Sequence, residues 1–263
     1  MIEYYKLYLP KSKREVKIEV SVPRYRNNIC FDTLYLLDGQ NAFKDSHAAF
    51  GKSIGAAKAL GFAAREMNKR ILGVAIYNSG SDLGRLNEYS PFEIDNPADD
   101  NWFRHDVENC HNFCDDFINT IIPFIEKKYN VYKEKEHRFI YGSSLAATTA
   151  IYISLAYQNS FGYVGAFSTA SFLFEKKFLN FIDQKVNQSI NIFLYVGKNE
   201  TSDDIYDQSL YLNSNYKIYD LLISKKINTR LVIDCRGKHN EATWEKHLLD
   251  FINFIYYKDI IFS

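Results

Sequence analysis

Hydrophobic and polar positions alternate strictly at the start of the chain and then change rhythm. Residues 3–9 and 14–22 both repeat at period two around the polar stretch LPKSKR, which predicts an antiparallel hairpin. Past residue 30, short continuous apolar runs take over: DTLYLLDG (32–39), ILGVAIY (71–77), HRFIYG (137–142), YVGAFS (163–168), NIFLYVG (191–197) and TRLVIDC (229–235). Stretches with helical spacing separate them, at 51–70, 109–129, after Ser144, at 172–186, at 204–225 and from 241 onward. A strand covered on both sides has no polar face to show, so apolar runs alternating with amphipathic helices predict a parallel sheet with helices on both faces. No Pro-rich linker, repeat or low-complexity run divides the chain, which predicts a single α/β domain over residues 1–263.

The stretch from 78 to 106, NSGSDLGRLNEYSPFEIDNPADDNWFRHD, breaks the alternation. Connections this long inside a compact domain are more often functional than idle, so the segment is expected to form a lid or wall of a site.

Composition narrows the function. Lys+Arg and Asp+Glu both number 32, so the formal charge is zero and no basic field exists to hold a phosphate backbone. Nucleic-acid binding is therefore not expected. The first twenty residues alternate in polarity, with no apolar block of the kind that anchors or exports a chain, so neither a membrane association nor a leader is expected. Four scattered cysteines (Cys30, Cys110, Cys114, Cys235) make no disulfide framework, which points to a reducing, cytoplasmic setting. Cys110, His111 and Cys114, with His105, lack a second ligand pair to close a metal site, so buried structural cysteines are expected and no metal.

In an open parallel sheet, ligands bind beyond the carboxyl ends of the strands. Gly142-Ser143-Ser144-Leu145-Ala146 follows one strand at a strand-turn-helix junction close to the G-x-S-x-G pattern, with Ser144 at its tip. Lys198-Asn199-Glu200 follows a second strand and Arg236-Gly237-Lys238-His239 a third. The order serine, acid, histidine is the one an α/β-hydrolase requires. A serine hydroxyl is protonated at neutral pH, so it attacks a carbonyl only beside a base, and the base needs a carboxylate to fix its tautomer. Asp203 and Asp204 lie close enough to compete with Glu200 for the acid's place. Asp38-Gly39-Gln40 follows the first parallel strand, where the Gln40 N–H can join that of Leu145 as an oxyanion donor.

At these residues the chain resembles the α/β-hydrolase "putative esterase" family, which includes esterase D, feruloyl esterases and siderophore esterases. The resemblance rests on TLYLLDGQNAF (33–43), RLNEYSPF (85–92), FINTIIPFIEKKYNV (117–131), RFIYGSSLAA (138–147), FGYVGAFS (161–168), LYVGKNE (194–200) and GKHNEATW (237–244). It implies an α/β-hydrolase fold with a mostly parallel sheet, Ser144 as nucleophile, His239 as base and Glu200 as acid, without cofactor. It implies a small-molecule ester as substrate: a short acyl ester, a carbohydrate-linked acyl group or a siderophore lactone. Arg85 and Trp102 are the candidate substrate contacts, although Arg85 can equally pair with Glu88. One departure stands out: the family's Gly-Gly after the serine pair is Ala146-Ala147 here. An acyltransferase on the same triad, or a binding module that keeps the fold without turnover, are the alternatives. Sequence says nothing of the oligomeric state.

Overall fold

The computed structural model describes residues 1–24, 29–95, 105–187, 189–201 and 209–257. The two period-two stretches form β1 (Ile2–Leu9) and β2 (Arg14–Ser21), paired antiparallel from Ile2 opposite Ser21 to Leu9 opposite Arg14. Their turn is pinned by the buried Asp116 carboxylate, which accepts from Lys11 N at 3.1 Å, Ser12 N at 2.7 Å and Ser12 Oγ at 2.8 Å. β2 pairs antiparallel with β4 (Ile71–Ile76). From there β3 (Asp32–Leu36), β5 (Arg138–Ser143), β6 (Tyr163–Phe167), β7 (Asn191–Asn199) and β8 (Asn228–Lys238) run parallel, in the sheet order β1-β2-β4-β3-β5-β6-β7-β8.

The sheet separates two apolar clusters, as period-two side-chain alternation demands. Tyr35, Ile140, Val164 and Ile192 face α3 (Val107–Asp116), α4 (Ile122–Lys128), α5 (Leu145–Ala156), α6 (Glu175–Lys185) and α7 (Ser209–Ser224). Leu34, Leu36, Phe139, Tyr141 and Phe193 face α1 (Ala56–Glu66) and α8 (Glu241–Tyr256). This is the expected mostly parallel sheet with helices on both faces and an antiparallel hairpin at its start. Cys110 and Cys114 are fully buried in the first cluster, and burial, then contact with Cys114, pushes the Cys110 thiol well up. Among the described residues no helix is long and apolar enough to cross a membrane.

Three elements differ from expectation. The helix expected over 51–70 forms only over Ala56–Glu66, because Gly51 and Gly55 sit at positive φ, Lys52 bonds to Glu245 and Ser53 to Asp45. The stretch 109–129 is interrupted by a π-helical turn, Phe117–Ile121, just ahead of Pro123, which has no N–H to give to a helical ladder. The long connection at 78–106, where no element is expected, contains α2 (Asp82–Tyr89), capped by Ser81, whose Oγ accepts from Gly84 N at 3.1 Å. It is tied down beyond α2 as well. Phe92 packs edge-on against Tyr152, Phe174, Phe178 and Phe181, while His105 and His111 reach the Phe92 and Pro91 carbonyls.

A titrating contact joins α8 to the sheet edge. His247 bridges Asp250 at 2.9 Å and Asp234 at 3.3 Å and stacks on Tyr195 at 4.6 Å. Burial alone would lower its pKa, but hydrogen bonds to the two carboxylates outweigh it and raise it above the ordinary imidazole value. A base with a raised folded pKa contributes stability that is fully present below the unfolded value, about 6.5, and is lost as pH rises through the folded value. His247→Gln is therefore expected to melt about 2–4 °C below wild type near pH 5.5, with the gap shrinking by pH 9. Thermal melts at the two pH values check this, and an equal gap at both would contradict it.

Candidate active site

At the end of β5 the chain turns through Ser144 into α5 with φ 59° and ψ −128°, a sparsely populated conformation for a side-chain-bearing residue. The turn closes because Gly142 has no side chain: a Cβ there would collide with the Ala146 carbonyl. Ser144 N donates to Phe167 O at 2.8 Å, and Ser144 O accepts from Ala147 N at 3.1 Å and Ala170 N at 3.3 Å. Ser144 holds the N-cap position of α5, yet its side chain caps nothing. The ordinary structural use of a serine at this place is thus not the one made of it. Ala146 and Ala147 are fully buried inside the helix.

The acid and base lie on neighbouring loops. Glu200 follows β7 and His239 follows β8; the two strands come so close that a Cβ on Gly197 would collide with the Gly237 carbonyl. Glu200 is 4% exposed. Its Oε2 meets His239 Nδ1 at 2.7 Å, and its Oε1 accepts from Gly197 N at 2.5 Å and Ser168 Oγ at 2.7 Å. With the proton on Nδ1 held by the carboxylate, Nε2 is left as the acceptor. The imidazole is flanked by Tyr211 at 4.5 Å and Trp244 at 5.0 Å between ring centres. Among the described residues the Ser144 hydroxyl has no hydrogen-bond partner, so the Ser144–His239 contact is open in this structure. In enzymes without substrate that contact is often long and tightens on binding.

The loop after β3 packs closely against β4. Asp38 takes a left-handed conformation, φ 51°, and enters a 3-10 turn over Gly39–Asn41. Gly39 passes so close to the β4 backbone at Ala75 and Ile76 that no Cβ fits. Gln40 lies in this turn and Leu145 opens α5, and the parent strands β3 and β5 are neighbours in the sheet. As the first residue of its helix, Leu145 carries an N–H that the helix cannot satisfy. Asn41 links the loop to α8 by donating to Glu241 Oε1 at 2.9 Å. Burial, and to a lesser extent the nearby Asp38, pushes the Glu241 carboxyl up.

Arg85 does not pair with Glu88. Its Nε lies 3.0 and 3.1 Å from the two Asp38 carboxylate oxygens and its Nη2 2.6 Å from Oδ2, with Asn78 Nδ2 completing the cluster at 2.7 Å. Glu88 is turned the other way, toward Arg14 Nε at 2.8 Å and Ser79 N at 3.0 Å. Burial, offset only in part by Arg14, pushes its carboxyl up to about 7. The Arg85 side chain is 30% exposed. Trp102, Asp203 and Asp204 lie outside the described residues. Sequence reasoning missed Ser168, Trp244 and Tyr211; the one signal for Ser168 is its place directly after a parallel strand.

Comparison with known proteins bears on the family and the fold. A sequence model of the family described as "Putative esterase" matches residues 10–255. The "Uncharacterized protein YbbA" of Bacillus subtilis (strain 168) is 22% identical over 178 residues, covering 66% of this chain and 70% of that protein. Among solved structures, an IroE-like serine hydrolase from Shewanella oneidensis superposes with a TM-score of 0.80 at 16% identity, over 99% of this chain and 82% of its own. A ferulic acid esterase does so with 0.73 at 17% identity, over 97% of both chains. At such identities these structures show a shared fold.

Proposed function

Because the chain belongs to the "Putative esterase" family, we propose that it is a serine carboxylesterase in which Ser144 attacks the ester carbonyl, His239 carries the proton and Glu200 holds His239. The observation that carries this reading is the buried Glu200 carboxylate on His239 Nδ1 at 2.7 Å, at the same end of the sheet as a serine held at positive φ. His239 Nε2 takes the Ser144 proton as the oxygen adds to the carbonyl, and the oxyanion that forms faces the N–H groups of Leu145 and Gln40. One such donor is worth roughly 3–4 kcal/mol in other acyl-transfer enzymes. Collapse of the tetrahedral intermediate expels the alcohol, which leaves with the proton from His239. Water, deprotonated by the same imidazole, then releases the acid and frees Ser144. Only protein groups and water enter these steps.

The proposed substrate is a small-molecule ester: a short acyl ester, a carbohydrate-linked acyl group or a siderophore lactone. Arg85 and Trp102 are its proposed contacts. Arg85 is bound to Asp38 but keeps part of its guanidinium-bearing chain exposed, so it can meet a polar group at the cleft while bracing the loop before Gln40. Four free cysteines fit the proposed cytoplasmic location. The test is hydrolysis of p-nitrophenyl esters of graded chain length, hydroxycinnamate esters and a trilactone siderophore, with fluorophosphonate labelling alongside. Turnover of at least one ester and labelling at Ser144 are expected. A protein inert to every ester and to the fluorophosphonate would instead be a binding module with this fold, and preferred transfer to an added alcohol would make it an acyltransferase.

A further inference from the structure

We infer that Ser168 is a positioning residue of this site: its hydroxyl, fixed in direction by the Trp244 indole, holds the Glu200 carboxylate in the orientation in which it meets His239. The inference rests on the esterase reading and deepens it. Ser168 is fully buried directly after β6, between the strand that carries Ser144 and the strand that carries Glu200. Trp244 Nε1 lies 3.0 Å from Ser168 Oγ, and Ser168 Oγ lies 2.7 Å from Glu200 Oε1. An indole N–H can only donate and an ionised carboxylate can only accept. The Ser168 oxygen therefore receives the first bond, and its single proton has to go to Glu200. The hydroxyl has no freedom to rotate into another role.

The backbone supplies a second, independent observation. Ser168 stands at φ 51°, in the left-handed region where glycine is at ease and a side-chain-bearing residue is strained. Its N–H is committed to Tyr195 O at 2.6 Å, which holds that conformation. A serine here costs backbone strain, and the bond to Glu200 is what the side chain contributes in return. Trp244 has two functions in the same arrangement, since its ring also packs edge-on against His239 at 5.0 Å and 82°. One α8 side chain thus braces the base directly and the acid through Ser168.

Glycine at this position removes the hydroxyl and relieves the strain together, so Ser168→Gly separates positioning from folding. Its melting temperature is expected to equal or exceed that of Ser168→Ala, while kcat in both falls about ten- to a hundredfold, the size of one hydrogen bond to a charged group. KM should stay within about twofold, because the hydroxyl faces the carboxylate and not the substrate. In a Glu200→Gln background the same substitution should cost less than about threefold, since the charge it serves is gone. A Ser168→Gly enzyme with wild-type kcat overturns the inference, as does an equal loss in both backgrounds or a loss carried by KM. Ser144→Ala in the same assay keeps the two levels apart. If Ser144→Ala keeps near-native turnover, the reading of Ser144 as nucleophile has failed; if Ser144→Ala is inactive and Ser168→Gly is unimpaired, only the role of Ser168 has.

Discussion

Ser144→Ala is expected to lower kcat/KM for any ester the protein cleaves by about three orders of magnitude or more, with the melting temperature nearly unchanged. The two halves of this expectation have separate causes. The hydroxyl is the atom that forms the covalent bond, so without it only the oxyanion donors and the binding surface remain to assist direct attack by water. The same hydroxyl bonds to no described residue and caps no helix. The fold loses nothing when it goes. Alanine is as strained as serine at φ 59°, so the backbone energy is the same on both sides of the comparison. Kinetics with the best ester, set beside a thermal melt, measure both halves. Near-native turnover in the variant would remove Ser144 from the role of nucleophile.

The Ala146-Ala147 departure bears on how active that nucleophile is. The tight approach of strand and helix at the elbow is met by Gly142, where a Cβ would strike the Ala146 backbone carbonyl. The constraint thus falls on Gly142 and on the backbone of Ala146, not on the Ala146 methyl group. Ala146 lies within α5, where an alanine carries no strain and favours the helix over glycine by up to about 1 kcal/mol. Its methyl is fully buried in the core cluster. The substitution is compatible with a working elbow.

The sheet was legible in the sequence because strands covered on both faces leave continuous apolar runs, and the hairpin because its period is two. The placement of the candidates Ser144, Glu200 and His239 at one edge was legible for a topological reason: each directly follows a parallel strand, and only the carboxyl ends of such strands converge there. What depended on long-range choice of partner was not. Arg85 and Glu88 have the spacing of helical neighbours, yet Arg85 reaches Asp38, 47 residues away, and Glu88 reaches Arg14 on β2, 74 residues away. Local spacing cannot rank those alternatives, because burial of both carboxylates by tertiary packing decides them. Ser168 closes the segment FGYVGAFS, where nothing local marks it apart from its neighbours; the role inferred for it depends on α8 delivering the Trp244 N–H. Gly51 and Gly55, which fall within the helical period, hold the start of the helix back to Ala56 because both adopt positive φ. The helical period of their neighbours conceals that.

Glu200→Gln is expected to reduce kcat/KM steeply, by about two to three orders of magnitude, but less than Ser144→Ala. Lost charge explains part of this, since the imidazolium formed during the reaction is no longer stabilised. The hydrogen-bond pattern explains the rest. Glu200 Oε1 accepts from both Gly197 N and Ser168 Oγ, so a glutamine will place its carbonyl oxygen there. Its amide NH₂ must then face His239 Nδ1, where the carboxylate now sits at 2.7 Å. A donor in that place requires Nδ1 to accept, which moves the imidazole proton to Nε2 and turns the atom meant to receive the Ser144 proton into a donor. The two neighbours that orient the carboxylate would therefore enforce the wrong tautomer in the variant. Asp203→Asn and Asp204→Asn, tested beside it on the same ester, should each stay within about threefold of wild type. A crippled Asp203→Asn with a tolerant Glu200→Gln would move the acid to Asp203, and the contact between Glu200 and His239 would then serve structure alone.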